Sequence, residues 1–300
     1  MRVSVVIPTY NYARFVTEAI ESVLSQTRPP HEVIVVDDGS TDDTRDRVAV
    51  YGDRVRYIFQ VNRGLSAARN AGLAAATGDA LALLDSDDAF HPRKLEFQVA
   101  YLEANPAVGL VGTRTFSDPS LQWPKVETPS ATVLSLDAQV VRTRFCPSSA
   151  VFRRALVEQI GDFDPAVSGS ADRDYWIRAA VASRVAVLES PLTFYRLHVG
   201  AMNRNAALMI AHERAVLDKS FAMPELRHRF FLRRRAYSLA ASSAAFMLFR
   251  DAGRPRAAAV ACLQSFLYYP LPFVDSETRT GLARLRLGLR IALGVLTRRR

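Results

Sequence analysis

Two short acidic runs hold most of the residues in this sequence that could do chemistry. Val35-Val36-Asp37-Asp38-Gly39-Ser40-Thr41-Asp42 and Leu83-Leu84-Asp85-Ser86-Asp87-Asp88 each extend directly from an apolar stretch. A carboxylate at the end of a strand can accept hydrogen bonds from a nucleobase or a ribose. The first run also reads as a plain turn, with Gly39 at its tip and Ser40 or Thr41 capping the next helix. The second is harder to explain locally. Its three carboxylates lie within four residues and repel one another, whereas Asp88 alone would suffice to cap a helix beginning near Pro92. A hard divalent cation, Mg²⁺ or Mn²⁺, takes oxygen ligands and bridges carboxylates to substrate phosphates, which accounts for the cluster. Between the runs, Asn62-Arg63-Gly64-Leu65-Ser66-Ala67-Ala68-Arg69-Asn70-Ala71-Gly72 offers a closely approaching helix N-terminus suited to an anion. Within it, Arg69 presents a planar fork to a phosphate or to one of the aspartates.

Such groups need elements to position them. Val3–Ile7, Glu32–Val36, Val55–Phe59, Ala80–Leu84 and Val108–Gly112 read as strands. Helical patterns fall between them at Ala13–Gln26, from Ser40 or Thr41, at Leu65–Ala76 and at Pro92–Glu103. This alternation predicts an α/β fold with a Rossmann-like, mostly parallel sheet flanked by helices. From Phe116 to Pro147, prolines 119, 124, 129 and 147 predict a loop-rich excursion. Helices near Arg154–Ile160 and Asp172–Ala182 follow, then strands near Val185–Leu188 and Leu192–Leu197. Beyond Asn203 the chain reads as helices broken at Pro224, Gly253-Arg254-Pro255 and Pro270-Leu271-Pro272. The expected organisation is residues 1–115 and 116–203 as two halves of one domain, and 204–300 as a basic helical region.

The bulk properties narrow the class. With 49% hydrophobic and 23% charged residues, the chain is an ordinary globular protein. Cys146 and Cys262 stand far apart without metal-ligand spacing, which fits a reducing compartment. The apolar start is too brief for an export signal, and no window of about 18 uninterrupted apolar residues suggests a spanning helix. Charge is uneven. Residues 227–300 hold fifteen Arg, no Lys and three acidic residues, so this stretch carries +12 and the rest −3 of the total +9.

The motifs also resemble a known family. Val3-Ser4-Val5-Val6-Ile7-Pro8-Thr9-Tyr10-Asn11, Asp37–Thr41, Gly64–Asn70 and Asp85–Asp88 stand in the order and spacing of glycosyltransferase family 2. The match continues through Gly161-Asp162-Phe163-Asp164, Asp172-Arg173-Asp174-Tyr175-Trp176-Ile177-Arg178 and Tyr195-Arg196-Leu197-His198, covering about residues 1–200. That resemblance implies a GT-A fold and transfer of a sugar from a nucleotide-diphosphate donor with inversion. It implies Pro8 and Tyr10 lining the base pocket, Asp38 on the uracil or other base, and Asp37 in support. Asp85 would meet the ribose, with Ser86, Arg69 and Asn70 completing the nucleotide-sugar set. Asp87, with Asp88 beside it, would bind the metal, and His198 would lie near the metal or diphosphate. Asp172 matches the catalytic base. The family often has Glu before this Asp, where this chain has Ala171.

The implied protein is a metal-dependent hexosyltransferase, with Mn²⁺ or Mg²⁺, serving bacterial polysaccharide, glycolipid or cell-envelope glycan synthesis on a glycan or lipid-linked acceptor. The Arg-rich segment around Leu282–Leu293 mixes Arg and aliphatics at helical spacing, and Phe266–Phe273 adds aromatics. Basic amphipathic helices of this kind lie on anionic membranes, so a cytoplasmic protein with peripheral contact at the inner face of the plasma membrane is one expectation. A helical cap on the catalytic domain is the other. Nucleic acid is not an expected partner, because no aromatic-interleaved reading motif accompanies the charge. Ala171 also admits a non-catalytic sugar-nucleotide-binding relative. A phosphatase of the haloacid dehalogenase type shares Asp-x-Asp after an apolar strand, but near the chain start and with Thr or Val where this sequence has Ala89.

Overall fold

The computed structural model describes residues 1–118, 122–198, 205–271 and 283–297, with side chains to residue 293. Its first strand is β1 (Val3–Thr9), an interior strand whose seven residues are all buried. Successive side chains of a strand point to opposite faces, so a strand covered on both sides has no polar alternation. Val5 and Ile7 pack with Val16, Ala19, Ile20 and Val23 of α1 (Ala13–Leu24), whereas Val6 joins a second core on the other face. The next strand, β2 (Glu32–Asp37), divides the same way, with Val33 and Val35 on one side and Ile34 and Val36 on the other.

The elements continue with α2 (Thr44–Ala49), β3 (Arg56–Phe59), α3 (Leu65–Ala75), β4 (Ala80–Leu83), β5 (Ala89–Phe90), α4 (Lys94–Ala104) and β6 (Val108–Phe116). Then come β7 (Ala131–Leu134), α5 (Leu136–Val141), β8 (Val151–Arg153), α6 (Arg154–Ile160), α7 (Ala171–Ala182) and β9 (Arg184–Phe194). The sheet runs β3-β2-β1-β4-β8-β6-β9-β5, with β7 pairing β9 off this path. The pairs β1–β2, β1–β4, β2–β3 and β6–β9 are parallel. The antiparallel partners of β8 are β4 and β6, and β9 pairs the same way with β5 and β7. Parallel pairing aligns the carboxyl ends of β1, β2 and β4, so Tyr10, Asp38 and Asp85 leave the sheet at one edge. Gly72 lets α3 lie against that sheet, since a Cβ there would fall 2.2 Å from Val6 Cγ1.

Several boundaries differ from the sequence reading for identifiable reasons. The helix after the first acidic run starts at Thr44, because Ser40 Oγ accepts from Asn11 N at 2.8 Å and Thr41 N donates to Asn11 Oδ1 at 2.7 Å. Those groups brace the loop after β1 and leave Asp43 at the cap position. Asn11 adopts a left-handed conformation (φ 55°) to make both bonds. Asp88 does not cap α4, whose N-cap is Arg93. One strand spans Arg184–Phe194 where two were expected, its pairing with β6 absorbing irregularities near Arg114. The excursion after Phe116 contains β7, whose exposed edge residues show no apolar period, and α5; Pro119 lies outside the described residues.

Two compact units result, residues 1–135 with 144–198, and residues 136–143 with 199–300. The second unit holds α5, α8 (Ala206–Ser220), α9 (Phe230–Arg250), α10 (Pro255–Tyr268) and α11 (Ala283–Thr297). Its core gathers Ala244, Ala245, Ala258, Ala261, Cys262 and Ile291. Leu282 and Pro272-Phe273 of the basic and aromatic segments lie outside the described residues.

Candidate active site

At the end of β2, Asp37 and Asp38 are 1% and 3% exposed. Asp37 accepts from Ser40 N at 2.8 Å and from the Tyr57 hydroxyl at 2.6 Å. Burial and the Asp37 carboxylate together push the Tyr57 hydroxyl above its usual range. Asp38 accepts from Gln60 Nε2 (2.6 Å), Arg63 N (2.9 Å) and Gly64 N (2.8 Å), pinning the loop that leads into α3. Gly64 holds that entry at φ 87°, a region that suits glycine. Pro8 is buried in β1, while Tyr10 stands 45% exposed beyond it.

The second acidic run is a turn closed by Asp88 N donating to Asp85 O at 2.9 Å. Ser148 Oγ accepts from Asp85 N (3.0 Å) and donates to Asp88 Oδ2 (2.5 Å), tying both ends of the turn to the entry of β8. Arg196 N donates to Asp88 Oδ1 (3.0 Å), its Nε to Asp87 O (2.8 Å), and its Nη2 to Glu18 of α1 (2.6 Å). Asp88, expected beside Asp87 as a metal ligand, is therefore turned inward, both oxygens engaged by protein donors. Ser86 is buried. Asp87 Oδ2 instead meets His198 Nε2 at 2.8 Å, and the imidazole sits 5.7 Å from the Tyr12 ring and 5.4 Å from the Phe15 ring.

Arg69 of α3 is 3% exposed and places Nη2 2.6 Å from Asp85 Oδ1 while its guanidinium lies 5.6 Å over the Phe163 ring. Asn70, read as a nucleotide-sugar contact, has both ends of its amide in use. Its Nδ2 donates to Phe163 O and its Oδ1 accepts from Phe163 N, both at 2.9 Å. Phe163 stacks on Tyr175 at 4.0 Å, and Trp176 packs in the same buried layer. Asp172 lies in the first turn of α7, where its Oδ1 accepts from Arg173 N at 2.8 Å. Ala171 is fully buried in the core, so the family's adjacent carboxylate would have no solvent here.

The electrostatics separate the two turns. Burial raises the Asp172 carboxyl above its ordinary range and Asp85 adds to the rise, while Arg69 and Arg173 oppose it. Asp172, Arg69 and Asp85 thus share one electrostatic neighbourhood. Burial and the Asp85 charge lift Asp87, against the pull of His198. Burial, then Asp87 and Asp85, lift Asp88 further. Nearby, Lys94 Nζ has no hydrogen-bond partner and lies 3.8 Å from the Phe90 ring centroid. Burial lowers it to about 7, against a small opposing effect of Cys146.

A cation fits this donor set. Among the described residues no three His, Cys, Asp or Glu side chains gather as a closed metal cage. Asp87 and His198 form a two-donor edge whose 2.8 Å span approaches the ~2.9 Å between adjacent ligands of an octahedral ion with bonds of about 2.1 Å. His198 Nδ1 and Arg69 Nε are buried without partners, and the carboxylates around them are crowded. An open edge beside excess negative charge suits an ion whose other ligands come from a diphosphate. Sequence reasoning missed Ser148, Glu18 and Lys94. Arg196 was visible only as part of the Tyr195–His198 motif, two residues before His198.

The model of the family described as glycosyl transferase family 2 matches residues 4–161. An uncharacterized glycosyltransferase of Nostoc sp. is 34% identical over 244 residues, 77% of this chain and 74% of that relative. S. aureus TarS 1–349 in complex with UDP-GlcNAc has a similar structure, with a TM-score of 0.66 at 18% identity, covering 98% of this chain and 92% of that one. The mannosyltransferase PcManGT from Pyrobaculum calidifontis, in complex with GDP-Man and Mn²⁺, gives 0.63 at 23% identity over 97% and 87% of the two chains. The protein belongs to glycosyl transferase family 2 and has the GT-A fold of these glycosyltransferases. Family membership displaces the phosphatase alternative.

Proposed function

We propose that the protein transfers a sugar from a UDP-sugar to an acceptor hydroxyl with inversion at the anomeric carbon. The observation that carries this reading is a half-buried, proton-affine Asp172 in the first turn of α7, sharing its surroundings with the Arg69–Asp85 pair of the acidic turn. Asp172 takes the acceptor's proton as that oxygen bonds to the anomeric carbon. The bond from this carbon to the diphosphate oxygen breaks, and the electron pair leaves with the nucleoside diphosphate. A carboxylate held above its usual pKa is a better base near neutral pH, a role worth roughly 10²–10⁴-fold. Asp87 and His198 would hold Mn²⁺ or Mg²⁺, which when bound neutralises charge developing on the diphosphate. Asp88 positions the turn through Ser148 and Arg196.

In this reading Pro8, Tyr10 and Asp38 border the nucleobase and Asp37 holds the loop beside it. Asp85 and Ser86 meet the ribose, Arg69 offers its unpartnered Nε to the donor, and Asn70 keeps α3 in place. The acceptor is a glycan or lipid-linked sugar of the bacterial cell envelope. The protein works at the inner face of the plasma membrane through a peripheral contact of its Arg-rich C-terminal helices. TarS in complex with UDP-GlcNAc and PcManGT with GDP-Man and Mn²⁺ support the donor class. A thermal-shift screen of UDP-, GDP- and dTDP-sugars with Mn²⁺ tests it, since a ligand stabilises by RT ln(1 + [L]/Kd). A UDP-sugar should give the largest shift, and no shift with any donor would overturn the reading.

A further inference from the structure

The second unit carries a net +12, and α9, α10 and α11 contain no acidic residue. Arg284 fixes which way α11 faces. It is 4% exposed and donates to Ser238 Oγ (2.9 Å) and to the carbonyls of Ser265 (3.2 Å), Tyr269 (2.7 Å) and Leu271. These carbonyls lie at and beyond the C-terminal end of α10, where a helix leaves acceptors unpaired. With Arg284 inward, Leu287 and Ile291 follow it on the same face and pack against Ala258, Ala261 and Cys262. The outward side of α11 is then determined. Leu285, Leu289 and Leu293 are 52%, 68% and 62% exposed, and the exposed Arg286 and Arg290 lie between them. On α10, Val260, Leu263 and Leu267 are similarly exposed at i, i+3 and i+7.

A surface helix normally gives its apolar stripe to the core and its polar side to water. Here α11 buries one apolar stripe and shows a second, flanked along one side by arginine. The geometry points to a docking face for an anionic bilayer, in which Leu285, Leu289 and Leu293 enter the headgroup boundary and Arg286 and Arg290 meet lipid phosphates. A second copy fits less well, because a self-complementary contact would set these arginines against one another. Nucleic acid fits less well again, because leucines would face its phosphates. Among the described residues no helix is long and apolar enough to cross a membrane, so contact is with the surface. The inference rests on the peripheral-membrane reading of these helices and not on glycosyl transfer.

Flotation of the full chain with phosphatidylcholine vesicles containing a quarter phosphatidylglycerol tests it, alongside pure phosphatidylcholine. The full chain should float with the anionic vesicles at low salt and be released by high salt. Leu285→Gln/Leu289→Gln/Leu293→Gln should lower partitioning at least tenfold, and Arg286→Gln and Arg290→Gln about fivefold each. All three leucines are exposed, so unchanged melting should accompany the loss. Flotation unaffected by the leucine changes would overturn this face while leaving peripheral contact standing. Absence of flotation by the full chain would overturn both. A leucine-dependent doubling of mass in light scattering without vesicle binding would make the face a dimer contact and overturn the bilayer. None of these outcomes depends on the donor screen.

Discussion

The turns after β2 and β4 each hold neighbouring aspartates at the end of a buried parallel strand, but they balance that charge by different means. Asp37 and Asp38 are surrounded by neutral donors from the protein itself: two backbone amides on Asp38, one on Asp37, and the side chains of Gln60 and Tyr57. Asp85, Asp87 and Asp88 share four donors among three carboxylates, where Asp37 and Asp38 have five for two, and Asp87 and Asp88 are raised by burial and by their neighbours. The unpartnered Arg69 Nε, His198 Nδ1 and Lys94 Nζ all belong to the β4 side. A buried acid satisfied by the protein holds structure, and one left short of partners marks where a ligand belongs.

Three measurements test this contrast. The largest effect is expected from Asp172→Asn, which should cut transfer by roughly 10²–10⁴-fold while leaving the donor-induced thermal shift in place. Near-native turnover would remove Asp172 as the base. Next, Lys94 should give the β4 side a pH signature. Its folded pKa of about 7 lies below the ordinary lysine value of 10.5, so the folded chain binds fewer protons between those values. Stability should therefore rise across that window, by about 5 kcal/mol. Urea melts at both ends should show the rise in the native chain and its absence in Lys94→Met. The smallest effect compares the turns directly. Asp38→Ala should cost about 2–4 kcal/mol, because it strands buried donors. Asp87→Asn should change stability by less than about 1 kcal/mol yet abolish the Mn²⁺-dependent donor shift. Equal destabilisation by both substitutions would mean that the turns do not differ.

The parts of this protein that could be read from its sequence are those with a period or a crowd of like charges. The apolar runs of β1, β2 and β4 were visible because both faces of a parallel sheet are buried, and the clustered aspartates were visible because local structure needs only one. What escaped depends on distance along the chain. Ser148 meets Asp85 and Asp88 from about sixty residues away, and nothing around Cys146-Pro147-Ser148 signals that role. The inward turn of Asp88 and the double use of Asn70 were hidden for the same reason, since each depends on a backbone group supplied by another element. Edge strand β7 was missed because its exposed residues carry no pattern.

The reciprocal clasp between the Asn70 amide and the Phe163 backbone has a consequence for engineering. It joins α3, which carries Arg69, to the segment that leads into α7, which carries Asp172, so the two residues proposed to face donor and acceptor are held to one another. A chimaera that imports another family member's loop into this region, without the matching asparagine, would misalign the two halves of the reaction even if each folded correctly. On the proposed reading, acceptor preference in this chain would not be a detachable cassette.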